Sequence, residues 1–409
     1  MSIRSNVLVL LLSIITYFLL KLFTNIDLFK SITPLNNSQC IHLLGSIGNE
    51  DLQLNSRNIL FLSSDNKHIF PTTPFSAPIV DRADQCEDGA VYYIDLNKAD
   101  TDRVTKRIPF NRNYPLSSEP DFHPHGIHVS SNDKYLYVIS HGRTGEVVFI
   151  FRIHYDQFNQ PELLDFIYVI HDDAFTGVNN DLTAVLVDMR QDTDHLHVDN
   201  YVHTLYITSW LGSTLNEPAA VFYETLSKQS WGFITRCVVM KHSDSTNDNA
   251  IYTHQCHKLI HNLPGPNGIA LINDNISIAV ALTTTRTVQI YSLNDVELNH
   301  TSIQPYQIIE FDMAVDNINI DANSNDIIVA GHPRTIDFIR HSQDPKHIKS
   351  PNQISVIRYL GDHQYANSSE KLVVDEGNIL SGSSAAVLHK NKLYIGGVHD
   401  QGVLVCHMK

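Results

Sequence analysis

The sequence contains few cysteines and few basic residues, and each shortage argues against a class of protein. Its 409 residues include five cysteines and no C-x-x-C pair, which argues against a zinc ribbon or a thioredoxin motif. Lysine and arginine number 29 against 44 acidic residues, and a formal net charge of -15 argues against a nucleic-acid binder that follows phosphates. Glycine (18) and proline (16) are too scarce for a collagen-like or low-complexity chain. The hydrophobic content of 43% indicates a folded globular protein, and its acidity suits the attraction of cations.

The chain has one long uncharged apolar run, at residues 7–20 near the amino terminus. This run is shorter than the ~20 residues that usually span a bilayer, but Lys21 can snorkel to the interface. No small-residue cleavage site follows Phe23. We therefore predict a signal-anchor or transmembrane helix in residues 1–30, with residues 31–409 on the lumenal or extracellular side. A cleaved signal peptide and a secreted product form the alternative, and a buried core helix is a third interpretation.

Sequons and cysteines agree with the secretory pathway. The N-x-[ST] triplets, which predict glycosylation, begin at Asn36, Asn275, Asn299 and Asn367. A bridge between Cys40 and Cys406 would tie together the two ends of the folded region. Cys237 and Cys256 could form a second bridge, which would leave Cys86 without a partner.

Short alternating and β-branched runs dominate the chain after the leader, while amphipathic helical patterns are scarce. A weak repeat has an opening rich in small residues, Asn, Asp or His, followed by strands of the Leu-Tyr-Val and Val-x-Ile-Tyr types. The openings fall at Asp51 and at residues 125–127, 181–182, 267–269, 317–319 and 383–384. Six units predict an all-β fold, a six-bladed β-propeller whose innermost strands start around one tunnel. A β-sandwich or two barrels is the alternative.

Oxygen-bearing side chains are concentrated at these predicted blade openings. They are Glu50, Asp51, Asn180, Asp181, Asn267, Asp316 and Asn317. Carboxylates and carboxamides suit calcium, which takes six to eight oxygen ligands, and suit zinc poorly. The alternative is that Asn and Asp are ordinary turn residues.

Three histidines occur in short motifs near the openings. They are His125 in His-Pro-His-Gly-Ile, His141 in Ser-His-Gly and His332 in Gly-His-Pro. A histidine beside a metal ion can act as a general base on water. The chain has 23 histidines, so most of them must be structural or exposed.

The order and spacing of these motifs resemble the paraoxonase/arylesterase family. The similar stretches are residues 48–52, 124–127, 179–182, 266–269, 315–318, 331–333, 380–384 and 392–396. The resemblance extends from about Cys40 to Cys406. Strictosidine-synthase-like and gluconolactonase propellers fit the Glu50–Asp51 opening and the histidine motifs less well.

The resemblance implies a six-bladed propeller with two calcium ions in its tunnel. The catalytic ion would be held by Glu50, Asn180, Asn267, Asp316 and Asn317. The deeper structural ion would be held by Asp51, Asp181 and the backbone carbonyl of Ile127. His125 and His141 match the family's histidine pair that is proposed to activate water, and His332 matches a third active-site histidine. Cys40 and Cys406 match a bridge that joins the first and last strands.

The chain also departs from the family pattern in ways that bear on substrate preference. Gly331 stands where many members have a cysteine, and Gly265 and His68 stand where bulky pocket residues are expected. Residues 209–217 match poorly, and residues 190–202 and 241–257 look longer than in the family.

The predicted function is a calcium-dependent hydrolase of small-molecule lactones and aryl esters, in which activated water attacks a polarised carbonyl. A rival mechanism gives the nucleophile or base role to a calcium-bound carboxylate, Glu50 or Asp316. The alternative function is a membrane-anchored, non-catalytic calcium-binding propeller that serves adhesion or scaffolding.

Overall fold

The computed structural model describes most of the chain after the predicted leader. The described residues are 26–66, 89–111, 122–142, 145–188, 201–213, 218–242, 251–294 and 303–408, with the isolated positions Ser13, Thr16 and Thr24. His68, Cys86, Asn299 and most of the predicted signal-anchor lie outside them. Within the described part, no helix is long and apolar enough to cross a membrane.

Three sheets follow one another in the first half of the chain. Blade 1 consists of β2 (Leu52–Leu54), β3 (Ile59–Ser64), β4 (Ala90–Asp95) and β5 (Lys106–Arg107). Blade 2 consists of β7 (Pro124–Val129), β8 (Tyr135–Gly142), β9 (Gly145–Tyr155), β10 (Pro161–Ile170) and the short β6 (Phe110–Asn111). Blade 3 consists of β11 (Val178–Asp188), β12 (Tyr201–Leu211), β13 (Gly232–His242) and β14 (Ile251–Leu263).

Three more sheets follow in the second half. Blade 4 consists of β15 (Pro266–Ile272), β16 (Ser277–Leu282), β17 (Thr287–Ser292) and β18 (Gln307–Glu310). Blade 5 consists of β19 (Ala314–Ile320), β20 (Ile327–His332), β21 (Asn352–Ile357) and β24 (Glu370–Asp375), with an appended hairpin of β22 (Tyr359–Gly361) and β23 (Gln364–Tyr365). Blade 6 consists of β25 (Ser383–His389), β26 (Lys392–Gly397), β27 (Gln401–His407) and β1 (Cys40–Ile47).

Two α-helices that the structure describes in full, and a 3₁₀ turn, lie between the strands. The helix α1 (Pro218–Ser227) lies between β12 and β13, and α2 (Thr335–Gln343) lies between β20 and β21. The 3₁₀ turn spans Asp100–Asp102.

The prediction of an all-β six-bladed propeller is confirmed. The first strands of the blades, β2, β7, β11, β15, β19 and β25, contact one another in that order, and β25 contacts β2 to close the ring. Every predicted opening lies within one of these inner strands or, for Asp51, directly before it. A single closed ring of sheets excludes the β-sandwich and two-barrel alternatives.

Both ends of the propeller meet in blade 6. Strand β1 pairs with β27, and Cys40 lies opposite Cys406 in the register. The two cysteines form a disulfide across a sequence separation of 366 residues. Cys237 and Cys256, opposite each other on β13 and β14, form the second disulfide. Both predicted pairings are therefore confirmed.

The hydrophobic core lies mainly between neighbouring blades. Phe61 and Val91 of blade 1 pack with Val138 and Phe149 of blade 2, and similar clusters join later blades. Because both faces of a blade are covered, strands such as β16 are buried along their whole length. This packing gives the inner strands a rigid setting for the polar residues at their starts.

Candidate active site

Irregular strand pairing marks the start of most inner strands. The register between first and second strands shifts between Pro124 and Ile127, and in blade 5 it shifts between Val315 and Ile318. Comparable shifts occur in blades 3, 4 and 6. Such bulges re-aim side chains at the end of a sheet. The predicted site residues on the inner strands of blades 2 to 5 lie at these shifts: His125, Ile127, Asn180, Asp181, Asn267, Asp316 and Asn317.

Two glycines allow the inner strands to approach closely at this level. A Cβ atom on Gly126 would lie 2.5 Å from the carbonyl oxygen of Asn180, and one on Gly268 would lie 2.6 Å from Cα of Asn317. Both contacts are with backbone, which cannot move aside cheaply. The repeated pattern of a polar residue, Gly and Ile therefore reflects contact between neighbouring blades.

Asp51 and Asp181 make the same set of hydrogen bonds in blades 1 and 3. Asp51 accepts from the backbone N–H of Leu52 (2.7 Å) and, in blade 2, from that of Ile127 (2.8 Å). Asp181 accepts from its neighbour Leu182 (2.7 Å) and, in blade 4, from Ile269 (2.9 Å). Each carboxylate thus joins two blades, and each of its oxygens keeps a further lone pair for a cation.

Three other oxygen-bearing residues, Glu50, Asn180 and Asn317, lie near His125. The Asn317 amide donates to Oε1 of Glu50 (2.8 Å), which lies 3.5 Å from Nε2 of His125. Nδ2 of Asn180 lies 3.2 Å from the same histidine nitrogen. The structure therefore brings together polar groups from blades 1, 2, 3 and 5.

Asn267 is connected to this group through blade 3. The hydroxyl of Thr208 accepts from the backbone N–H of Asp181 (3.0 Å) and lies 2.5 Å from the carbonyl oxygen of Asn267. The Asn267 side chain is 6% exposed. Thr208 is a second-strand residue that sequence reasoning did not identify.

Four buried side-chain oxygens of the predicted calcium ligands accept no hydrogen bond from any described residue. They are Oε2 of Glu50 and the Oδ1 atoms of Asn180, Asn267 and Asn317. A buried oxygen without a partner is costly unless a ligand or ion satisfies it. One carboxylate and three carboxamides fit the preference of Ca²⁺ for oxygen. Within the described residues, no three His, Cys, Asp or Glu side chains form a metal-binding group, so the fit depends on the amide oxygens.

Burial makes ionisation unfavourable for three carboxyl groups of the site, those of Glu50, Asp51 and Asp181. Burial, followed by repulsion from Asp51 and Asp316, raises the pKa of Glu50 well above its usual range. Burial raises the pKa of Asp51 to about 7. Burial and then the charge of Asp51 raise the pKa of Asp181 well above its usual range. A divalent cation among these groups would favour their ionised forms.

His125 and His141 lie side by side, and a glutamate holds the second ring. The ring centroids are 4.4 Å apart. Nδ1 of His141 lies 2.9 and 2.8 Å from the two carboxylate oxygens of Glu146, its cross-strand partner on β9. Glu146 also accepts from the backbone N–H of Asn179 (3.2 Å). Sequence reasoning missed Glu146, although the Gly142–Gly145 hairpin places it opposite His141.

His123, in the same motif as His125, has a different partner. Its Nδ1 lies 3.1 Å from Oδ2 of Asp65, and both side chains are buried. The backbone carbonyl of His123 accepts from the N–H of His141. These contacts give His123 a structural position beside the histidine pair.

His332 is the last residue of β20 and contacts Asp316 of the site. Its Nε2 is 2.8 Å from Oδ2 of Asp316. The ring of Phe338, on α2, stacks on the imidazole with a centroid distance of 3.6 Å and an interplanar angle of 19°. No sequence signal pointed to Phe338.

The described sequons are accessible. Asn36, Asn275 and Asn367 are exposed, while Asn299 lies outside the described residues.

Gly265 adopts a φ of 68°, a backbone conformation that a larger residue would adopt only with strain.

The chain belongs to the arylesterase family. The family model described as arylesterase matches residues 39–225 and 250–408, which is most of the chain. The unmatched stretch overlaps the segment of blade 3 that looked longer in the sequence.

Named relatives are similar along nearly their whole length. Serum paraoxonase/arylesterase 1 of Rattus norvegicus is 23% identical over 386 residues, covering 93% of this chain and 92% of the relative. Serum paraoxonase/lactonase 3 of Homo sapiens is 22% identical over 385 residues, covering 93% and 91%. Among solved structures, a luciferin-regenerating enzyme is similar with a TM-score of 0.44 at 10% identity, covering 92% of this chain and 95% of that one.

Proposed function

We propose that this protein is a calcium-dependent hydrolase of lactones and aryl esters. The observation that carries the proposal is the set of four buried oxygens, from Glu50, Asn180, Asn267 and Asn317, that lack a hydrogen-bond partner among the described residues. Two of these residues contact His125, a candidate base. The relatives' names, arylesterase and lactonase, supply the substrate class.

Two sets of ligands would hold two calcium ions. Glu50, Asn180, Asn267, Asp316 and Asn317 would hold the catalytic ion, and Asp51, Asp181 and the carbonyl of Ile127 would hold the structural ion. A bound calcium ion would supply Lewis-acid polarisation of the substrate carbonyl. The residues beside it supply the rest of the chemistry.

His125 is the best-placed base. It lies next to Glu50 and Asn180, so it would take a proton from a water molecule held at that edge of the site. His141 would orient the His125 ring, and Glu146 would orient His141 through its bond to Nδ1. The rival mechanism uses the carboxylate of Glu50 or Asp316 instead, and His332 beside Asp316 would then set the latter's position.

A non-catalytic calcium-binding propeller would need the oxygens and would have no use for the histidines. A buried His125–His141–Glu146 series next to the oxygens is therefore expected of a hydrolase and unexpected of a scaffold. This series of side chains therefore favours the hydrolase over the scaffold.

The test is an assay of the purified full chain on phenyl acetate and a δ-lactone, with calcium and with chelator. We expect hydrolysis of both with calcium and strong loss with chelator. Asn267→Ala should reduce activity and calcium-induced thermal stabilisation together, whereas Asn391→Ala, an exposed turn substitution, should change neither. Absence of calcium-dependent hydrolysis in the wild type would favour the scaffold.

We further propose that the uncharged apolar run within residues 1–30 anchors the protein in a membrane, with the propeller on the lumenal or extracellular side. The uncharged run in residues 7–20 supports the anchor, and the exposed sequons agree with that side. Sequencing the amino terminus of the mature protein tests the proposal. A start near residue 30 would mean a cleaved signal and a secreted product.

A further inference from the structure

A short amino-terminal segment, Ile26–Lys30, lies against the residues that begin α2. We call this segment the clamp. The backbone N–H of Ile336 donates to the carbonyl of Ile26 (3.0 Å). The guanidinium of Arg334 donates twice to the carbonyl of Lys30, at 2.9 and 2.7 Å. Both ends of the clamp are therefore hydrogen-bonded to residues 334–336, which directly follow the Gly-His-Pro motif of His332.

Asp27 is the centre of the clamp, and it is 7% exposed. Arg286, in the β16–β17 hairpin of blade 4, donates to both of its carboxylate oxygens, at 2.8 and 2.7 Å. Thr335, the first residue of α2, donates its N–H (3.3 Å) and its hydroxyl (3.0 Å) to Oδ2. A buried carboxylate with bidentate arginine and helix-start donors is both strong and geometrically specific. Asp27 therefore ties blade 4 to the start of α2.

The position of α2 matters because this helix carries Phe338, which packs flat on the His332 ring at 3.6 Å. His332 in turn contacts Asp316 at 2.8 Å. Thr335 and Phe338 are three positions apart on the same helix, so a displacement at Thr335 moves the ring that covers His332. A continuous series of contacts leads from Asp27 through α2 to the site.

We propose that Asp27 is a positioning residue of the active site, which acts by holding α2 so that Phe338 fixes His332 against Asp316. This inference rests on the proposed function, since it takes His332 and Asp316 to belong to the site. Loosening α2 would let His332, and with it Asp316, move from its position. Misplacement of a group at the reacting centre lowers kcat without necessarily changing the affinity for substrate.

The first experiment compares Asp27→Asn with wild type in the full chain. Asp274→Asn, the same change on an exposed turn, is the matched control. Hydrogen–deuterium exchange should be faster in α2 (Thr335–Gln343) of Asp27→Asn and unchanged in the blades distant from it. The kcat for phenyl acetate should fall by roughly tenfold, with a small change in KM. Unchanged exchange in α2, or unchanged kcat, would overturn the proposal.

A double-mutant cycle shows whether Asp27 acts through Phe338. Phe338→Leu removes the ring that stacks on His332. If both residues act along one series of contacts, the double variant Asp27→Asn/Phe338→Leu should lose little more kcat than Phe338→Leu alone. Additive losses would mean that Asp27 acts independently of Phe338, which would overturn the proposal.

Two further comparisons cover the cases in which Asp27→Asn does not fold or the wild type is inactive. If Asp27→Asn does not fold, Thr335→Val, which removes only the hydroxyl bond to Asp27, replaces it in both measurements. If the wild type hydrolyses nothing, the proposed function fails, while the exchange measurement still decides whether the clamp holds α2.

Discussion

His125 and Asn267 allow proton transfer and metal binding to be separated by single substitutions. His125→Gln should lower kcat by ~10²–10⁴-fold, the usual range for loss of a general base. It should leave calcium-induced stabilisation intact, because His125 is not among the predicted ligands. Asn267→Ala should instead lower calcium affinity and activity together, with partial rescue by added calcium. The measurements are initial rates and thermal shifts over a calcium titration; full activity of His125→Gln would favour a carboxylate as base.

The proposed role of Glu146 is to orient the ring of His141. Its carboxylate accepts from His141 and from the backbone of Asn179, so Glu146→Gln would leave the His141 ring less firmly oriented. We expect kcat to fall by roughly tenfold or more. Glu162→Gln, on an exposed position of β10, is the matched control and should have wild-type kinetics. Equal kcat in the two variants would mean that Glu146 does not orient His141 for catalysis.

At the residue scale, the sequence predicted the oxygen-bearing residues of the candidate site better than it predicted the side chains that contact them. The oxygen-bearing residues stood out because they recur at one phase of a repeat. Glu146, Thr208 and Phe338 did not, because each reaches the site from a second or third strand or from a helix. Their proximity depends on strand register and on the packing of α2, which no local pattern encodes.

At the scale of elements, the close approach of inner strands gives a prediction about Gly268. A Cβ atom there would lie 2.6 Å from both Cα of Asn317 and the backbone N of Ile318. Gly268→Ala must therefore separate blades 4 and 5, and we expect a loss of about 1–3 kcal/mol in the free energy of unfolding. Gly361→Ala, which meets no atom within 4 Å but has a φ of 90°, should lose less because only backbone strain opposes it. Chemical denaturation of both variants provides the comparison, and equal losses would contradict the packing argument.

The blades were predictable as elements, whereas their irregularities were not. Turn residues and β-branched runs such as residues 135–139 and 392–396 fell within β8 and β26. The register shifts that re-aim Asn180 and Asn317 have no comparable signature, because a bulge depends on pairing with the neighbouring strand.

At the scale of the whole molecule, the buried carboxylates make stability depend on pH and calcium together. The pKa of Asp51 rises from its ordinary value of 3.8 to about 7, and those of Glu50 and Asp181 also rise. Between the unfolded-state and folded-state pKa values of these carboxyl groups, the folded state binds more protons than the unfolded state. This contribution to stability is therefore present at low pH and is lost as the pH rises toward 7. Half-buried His128 and buried His203, whose pKa falls to about 4 because of desolvation, contribute in the opposite direction.

Comparing calcium with chelator at each pH largely cancels the histidine contribution, because those residues are not predicted ligands. Calcium needs ionised carboxylates and competes with their protons. The increase in Tm on adding calcium should therefore be small near pH 4–5 and grow toward pH 7–8. Asp51→Asn should reduce that increase, while Asp274→Asn should leave it unchanged. An increase in Tm that is the same at every pH would place calcium away from Asp51, Asp181 and Glu50, since binding there must displace the protons that burial holds on them.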